Sequence, residues 1–225
     1  NTASSEIAPY LAADMTTLYF STEGRPGYGN TDLFISRRLD ESWTNWSEPL
    51  NLGPKFNTSG WDAYFTIPAS GDYAYYVSTN NSIGKEDIFK IKLPDALKPK
   101  IVALVSGRVL NAKNYSPIDA EIIYEMLGNN VEAGIARSNP ETGEYQIALP
   151  AGQNYGFLAK AKDYLSVNEN LDLCNVNYYQ EIYRDLYLVP VKKGATLRIN
   201  NIFFEFSKYE LLPESFPELN RLAEF

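Results

Sequence analysis

Leu18-Tyr19-Phe20-Ser21-Thr22 comes back as Tyr75-Tyr76-Val77-Ser78-Thr79, and Asp32-Leu33-Phe34-Ile35 comes back as Asp87-Ile88-Phe89-Lys90, at offsets of 57 and 55 residues. Each copy reads as an apolar strand, a turn-rich loop, an Asp and a second apolar strand, which is a hairpin with its register pinned. The two-residue difference falls in the loop. Ser21 to Asp32 holds Gly24, Pro26, Gly27 and Gly29, whereas Ser78 to Asp87 is shorter and carries Asn80, Asn81 and Gly84. Asp32 and Asp87 recur at equivalent places after these loops. They read first as groups that accept loop N–H bonds and fix the turn, and only second as metal ligands or acids.

Between the copies, the run from Ser42 to Leu52 offers a further strand-like segment, and Asn57 to Trp61 makes another turn. A period near 55 with about four strand segments per copy points to propeller blades, although common blades run nearer ~40–50 residues. Asp32-Leu33-Phe34, its repeat Asp87-Ile88-Phe89, and the preceding Tyr-Phe-Ser or Tyr-Val-Ser resemble TolB-like propeller repeats. The resemblance implies the C-terminal blades of a β-propeller over residues 1–97, with further blades upstream, since two copies do not close a ring. Trp43, Trp46 and Trp61 read mainly as blade-core aromatics. Their alternative role is a sugar-stacking platform, because aromatic faces suit pyranose rings.

Leu93-Pro94-Asp95-Ala96-Leu97-Lys98-Pro99-Lys100 reads as a short stiff linker. Beyond it, Val102–Val109 is a strand with a Gly break, and Ile118–Tyr124 is another, followed by the turn at 128–130. Asn139–Gly143 turns into Glu144–Leu149, where Tyr145, Ile147 and Leu149 share one face; Pro150-Ala151-Gly152 turns into Tyr155–Ala161, with Tyr155, Phe157 and Ala159 inward. Short strands at this spacing give a sandwich. Ser106-Gly107-Arg108-Val109, Thr142-Gly143-Glu144-Tyr145 and Leu149-Pro150-Ala151-Gly152 resemble, in order, the carboxypeptidase regulatory-like family. That resemblance implies a transthyretin-like, non-catalytic β-sandwich over residues 98–190.

The chain has 20 basic and 28 acidic residues, a net charge of −8, so it offers no electrostatic reason to bind nucleic acid or anionic lipid. It lacks His and has one Cys, which excludes a His-based triad, a His-ligated metal and an internal disulfide. Cys174, at a strand end, reads as a small buried hydrophobe rather than a nucleophile. No run of about 18 apolar residues predicts a membrane span. The polar start Asn1–Ser5 is not a signal peptide. No cofactor is expected.

The tail reads as a strand over Asn201–Phe206 and then a helix, with Pro213 at a first helical position, Glu214 and Glu218 in the first turn, and Phe216, Leu219 and Leu222 as an apolar stripe. One strand and one helix cannot bury that stripe alone. The run Phe206–Ser215 and the following Phe216-Pro217-Glu218-Leu219 resemble the opening of the OmpA C-terminal domain, so residues 191–225 are read as the truncated start of a peptidoglycan-binding module. The resemblance puts the Asp and Arg that clamp the peptide carboxylate in a later loop and helix. Only Ser207 matches a ligand-touching position, and its plainer role is to close a turn.

The fold expected is thus mainly β: partial propeller blades, a transthyretin-like sandwich, then the opening strand and helix of an α+β module. That order resembles the multidomain OmpA-family envelope proteins of Bacteroidota, including a member associated with type IX secretion and gliding. It implies a non-catalytic periplasmic scaffold, outer-membrane associated, and leaves open whether a lipid upstream of this chain anchors it. Its propeller would take outer-membrane or periplasmic proteins, and its complete terminal module peptidoglycan. The rivals are a carbohydrate-binding or adhesive module using Trp43, Trp46 or Trp61, and a propeller-bearing hydrolase.

Overall fold

In the computed structural model, which describes residues 1–127, 131–191, 202–216 and 219–220, the chain is built mainly from β-strands. It forms two units, Asn1–Val102 and Ala103–Phe225, each with a core of its own.

In the first unit, β1 (Glu6–Leu11), β2 (Thr17–Thr22), β3 (Asp32–Arg37) and β4 (Leu50–Asn51) make one antiparallel meander, and β5 (Asp62–Thr66), β6 (Tyr73–Ser78) and β7 (Asp87–Lys92) make a second. The second repeats the first three strands of the first in detail. Glu6 lies opposite Thr22, with a bulge between Ile7 and Tyr10; Asp62 lies opposite Ser78, with a bulge between Ala63 and Thr66. Ala8 and Tyr64 take left-handed backbone inside these bulges, and Met15 and Gly71 take it in the turns that follow. Even the turn bonds match, Met15 N–H to the Ala12 carbonyl and Gly71 N–H to that of Pro68.

This register corrects the sequence offset for the second strand. Thr22 pairs with Asp32 as Ser78 pairs with Asp87, so β2 and β6 correspond at 56 residues, not 57. The look-alike Ser-Thr pairs are one residue out of step. A one-residue slip exchanges the two faces of a strand, so Phe20 corresponds to Tyr76 and Tyr19 to the exposed Tyr75.

The core of this unit lies between the meanders. Tyr19, Leu33 and Ile35 from the first join Phe65, Ile67, Ala74 and Tyr76 from the second, with the Tyr19 ring 4.7 Å from that of Phe65. Burying each such side chain contributes roughly 1.5–3 kcal/mol. The buried Asn57 takes the place of a strand beside Leu33, accepting its N–H at 2.7 Å and donating to its carbonyl at 2.9 Å. The strand expected over Ser42–Leu52 shrinks to β4 and a single Arg38–Trp46 bridge, because Asp40, Ser42 and Asn45 tie the backbone and each other into a local turn.

Leu93–Lys100 is not a free linker. Leu93 is buried, Asp95–Leu97 forms a 3-10 turn, the Tyr19 hydroxyl donates to the Leu97 carbonyl at 2.5 Å, and Arg37 donates to the Lys98 carbonyl at 2.9 Å. Buried Asp14 anchors its end. The carboxylate accepts from the N–H and hydroxyl of both Thr16 and Thr17 and from Lys100 N–H at 2.8 Å. Burial pushes its pKa up, but these five bonds outweigh burial and leave it lowered.

In the second unit, β8 (Val102–Asn111), β9 (Glu121–Met126), β10 (Val131–Arg137), β11 (Glu144–Pro150), β12 (Asn154–Lys160), β13 (Tyr164–Leu165), β14 (Val167–Asp172), β15 (Gln180–Tyr183) and β16 (Leu186–Pro190) form two sheets. Their orders are β10-β9-β12-β14 and β11-β8-β16-β13, with β15 also on β8. Tyr145, Ile147 and Leu149 share the core with Tyr155, Phe157 and Ala159, as alternation predicts. Ile118–Ala120 precede β9 rather than join it, and the turn at 128–130 lies outside the described residues.

Gly107 does not break β8. A Cβ there would sit 1.7 Å from the Arg184 carbonyl oxygen, so glycine is what lets the crossing from β15 to β16 lie against the strand.

In the tail, Asn201 lies outside the described residues and the expected strand reduces to one Phe204–Leu211 bridge. Beside that bridge Phe206 is 96% exposed. Pro213 opens a 3-10 turn ending at Ser215. The helix expected beyond it, with Glu218 and Leu222, lies largely outside the described residues.

Two stability measurements check this account. Asp14→Asn should lower the stability of the first unit by about 1–3 kcal/mol near neutral pH, because it leaves buried donors unpaired. Since the folded pKa of Asp14 lies below its unfolded value, its contribution is complete above the ordinary carboxylate range and fades as pH falls through the lowered folded value; the gap between wild type and variant in urea melts should narrow toward acid pH. Gly107→Ala should destabilise the second unit by roughly 2–3 kcal/mol by forcing backbone apart, seen as an earlier urea midpoint.

Candidate functional site

The carboxylates singled out by the repeat sit where strands begin, and each binds backbone four residues earlier. Tyr28 N–H donates to Asp32 at 2.5 Å and Ile83 N–H to Asp87 at 2.6 Å. Two more were not read from sequence. Thr58 gives its N–H at 2.7 Å and its hydroxyl at 2.9 Å to Asp62, and Thr2 does the same to Glu6 at 2.6 and 2.7 Å. The Thr2 and Thr58 hydroxyls in turn accept from Ser4 and Gly60 N–H, both at 3.2 Å. The signal for the extra pair was Thr2-x-x-x-Glu6 against Thr58-x-x-x-Asp62. It is hidden by the change of acid.

These clamps hold structure. Hydrogen bonds from the Thr2 hydroxyl and N–H bring the Glu6 carboxyl below its ordinary pKa. Asp32 and Asp62 are buried with one oxygen each lacking a hydrogen-bond partner. Among the described residues no three His, Cys, Asp or Glu side chains gather as metal ligands would.

The tryptophans divide. Trp43, 47% exposed, sits in the loop after β3 with the Arg38 guanidinium 4.3 Å from its ring centroid. Trp46 lies 6.4 Å away at an interplanar angle of 56° and donates to the Trp43 carbonyl at 2.9 Å. Trp61 packs edge-on against Tyr64 at 5.6 Å. None of the three belongs to the buried core between the meanders.

Ser207 is exposed at φ +60 in a turn whose ends join through Lys208 N–H and the Glu205 carbonyl at 2.9 Å. It lies between Phe206 and Tyr209, the latter 88% exposed.

Cys174 is exposed, which corrects its assignment as a buried hydrophobe. Leu171 and Leu173 take the inward positions at the end of β14, so the next residue points out. Hydrogen bonding to the Asp172 carboxylate, with a little burial, pushes the thiol pKa up and away from the nucleophilic thiolate.

Two concave surfaces stand out. In the second unit an open groove of about 610 Å³ runs past Ser106, Arg108, Ser138, Glu144 and Tyr183. Two of its polar groups bond within the unit: Arg108 pairs with Asp185 at 3.3 Å, and the Ser138 hydroxyl donates to the Ile118 carbonyl at 2.7 Å. In the first unit a smaller hollow of about 280 Å³ is lined by Ile7, Pro9, Leu18, Phe20, Arg25 and Pro49. This one is apolar at its base, the chemistry of a packing surface.

No family model matches the chain, and no curated protein matches it. Among solved structures, 3-chlorocatechol 1,2-dioxygenase from Rhodococcus opacus 1CP aligns at 13% identity and a TM-score of 0.32, covering 41% of this chain and 61% of that one. The major pilin subunit BcpA of Bacillus cereus aligns at 16% and 0.30, covering 56% and 41%. The pilus 2b backbone protein of group B streptococcus aligns at 8% and 0.35, covering 84% and 98%. The chain spans less than two thirds of the dioxygenase and of BcpA. All three alignments are too loose to assign a chemistry.

If the carboxylates are loop clamps, cost should follow burial. Asp62→Ala should destabilise the first unit by about 1–3 kcal/mol, since it strands an N–H and a hydroxyl, while Asp87→Ala at its more open site should cost under about 1 kcal/mol. Comparing urea midpoints of the two variants measures the difference.

Proposed function

We propose that this chain is part of a non-catalytic envelope scaffold: propeller blades that present a rigid surface to protein partners, a sandwich that spaces them, and the opening of a module that grips peptidoglycan. The observation that carries this reading is the duplicated meander. Two copies of a 55–56-residue unit, one a four-stranded and the other a three-stranded antiparallel meander, share register, bulge, left-handed turn and carboxylate clamp, and repeated antiparallel meanders are how a propeller is built. In this reading further copies of the repeat complete the ring, and the sandwich in the second unit corresponds to the regulatory-like spacer.

The wall-binding part rests on the resemblance of Phe206–Leu219 to the OmpA-type opening, with Ser207 as the one ligand-touching candidate. Its turn leaves the Ser207 side chain exposed, which suits such a role. Outer-membrane association and a type IX secretion or gliding partner come from the same resemblance of domain order.

Carbohydrate binding through tryptophan is the less favoured reading. Trp43 carries Arg38 against its ring, and Trp46 is turned 56° from it, so the pair does not make a flat platform for a pyranose ring.

Co-sedimentation with intact peptidoglycan sacculi tests the proposal. A protein in which the module is continued past Phe225 through its carboxylate-clamping Asp and Arg should pellet with sacculi, and the 225-residue chain should stay largely in the supernatant. Failure of the continued protein to pellet would sink the tether reading. A glycan array with the 225-residue chain should be blank; binding abolished by Trp43→Ala would install the carbohydrate reading instead.

A further inference from the structure

β10 closes one end of the sheet β10-β9-β12-β14, and among the described residues β9 is the one strand paired with it. Its other edge is bare. Arg137 lies opposite Glu121, Ala136 opposite Ile122, Ile135 opposite Ile123 and Gly134 opposite Tyr124, and one step further Ser138 N–H donates to the Ala120 carbonyl at 3.0 Å. Bonded and unbonded pairs alternate along an antiparallel ladder. Ala136 and Gly134 therefore spend their backbone groups on β9, while Ile135 and Arg137 turn their N–H and C=O groups outward.

Side chains follow the same parity. Ala136 packs on the sandwich core with Ile122, so Ile135 lies on the outer face, where Ile123 and then Leu158 continue its row across β9 and β12. Ile135 is 52% exposed. Natural sheets protect such an edge with Lys, Pro or a bulge, and β10 has only the bulge between Glu132 and Gly134, which leaves Gly134–Arg137 as a regular bare run. Charges of opposite sign flank the isoleucine, Glu132 before it and Arg137 after it, both exposed.

We infer that two copies of this chain join through these edges, β10 antiparallel to β10 about a two-fold axis at Ile135. Backbone parity limits the choice of axis, because an outward-facing residue has to meet another outward-facing one. An axis at Arg137 would set guanidinium against guanidinium. At Ile135 it sets isoleucine against isoleucine, carries the Leu158-Ile123-Ile135 row into the second molecule, and brings Arg137 opposite Ala133 and next to Glu132 of the other copy. The strand is thus complementary to itself in both apolar contact and charge. β14, at the opposite end of the same sheet, is not, since it carries Glu169 and Asp172 and no basic residue. A two-fold contact uses one patch on both copies and closes at a dimer. The short regular run makes that dimer a weak one. Neither the repeat of the first unit nor the wall-binding tail takes part in it.

Sedimentation of the 225-residue chain and a cysteine pair test this together. The weight-average mass should climb with concentration from the monomer value of 25.4 kDa toward twice that and no further. Ile135→Lys, which sets like charges across the axis, should hold it at monomer. Far-UV circular dichroism matching wild type shows that the variant is folded; should it fail that check, Ile135→Pro takes its place, removing an N–H that β9 does not use. Crosslinking reads the register. In a Cys174→Ser background, Ile135→Cys should give a disulfide-linked dimer under mild oxidation, since Cα atoms of a bonded antiparallel pair are about 5.5 Å apart, within the reach of a disulfide. Arg137→Cys, facing Ala133 and not itself, should crosslink more slowly. A chain that stays monomeric at every concentration, a mass that passes the dimer, association untouched at position 135, or crosslinking no faster at 135 than at 137 would each overturn the inference.

Discussion

A side chain in a strand faces one of only two ways, and in the first unit a carboxylate at the first residue of a strand fixes which. Glu6, Asp32, Asp62 and Asp87 each reach back four residues to a backbone N–H. That bond ties the incoming loop to the strand start and fixes where pairing begins. With Thr22 opposite Asp32 and Ser78 opposite Asp87, all the other residues on β2 and β6 are committed to a face. Tyr19 goes inward against Phe65, and Tyr75, its counterpart, goes out. The core, the hollow beside Phe20 and the exposed Tyr75–Ile88 face all follow from this register.

The same economy governs the polar groups. Asp14 and Asn57 are buried, which is costly for groups of this polarity unless they are fully bonded. Asp14 has five donors, and the Asn57 side chain bonds both backbone groups of Leu33. Each replaces a piece of secondary structure that the meander lacks: Asn57 stands beside β3 as a strand would, and Asp14 binds the segment leaving β7. In the second unit Gly107 acts by absence, leaving room where Arg184 crosses β8. None of these groups is arranged as a reaction centre needs, with a nucleophile aimed at a base. They are spent on holding loops.

Much of this was readable in advance. Alternation gave the inward faces of Glu144–Leu149 and Tyr155–Ala161, and the repeated Asp gave the clamps at Asp32 and Asp87, because both depend on residues close in sequence. The failures share a cause. Matching Ser21-Thr22 to Ser78-Thr79 maximised identity but missed the register, which is set by pairing with another strand. Cys174 was placed inside because cysteine is usually buried, yet its neighbours Leu171 and Leu173 had already taken the inward positions. Asp62 and Glu6 went unnoticed as a pair because the bond tolerates either acid. The loop after β3 looked like a strand until local hydrogen bonds from Asp40, Ser42 and Asn45 claimed its backbone.

The sequence alone determined that the chain is mainly β, that its first hundred residues contain a duplicated strand unit, and that these 225 residues hold no histidine and one cysteine. Composition and short-range period suffice for these, since each is a property of neighbouring residues. Only the tertiary structure decided that the copies correspond at 56 residues on one strand and that Leu93–Lys100 belongs to the first unit. Those are properties of which backbone lies beside which. Strand pairing across tens of residues is fixed by loops, clamps and packing together, and no single segment carries it.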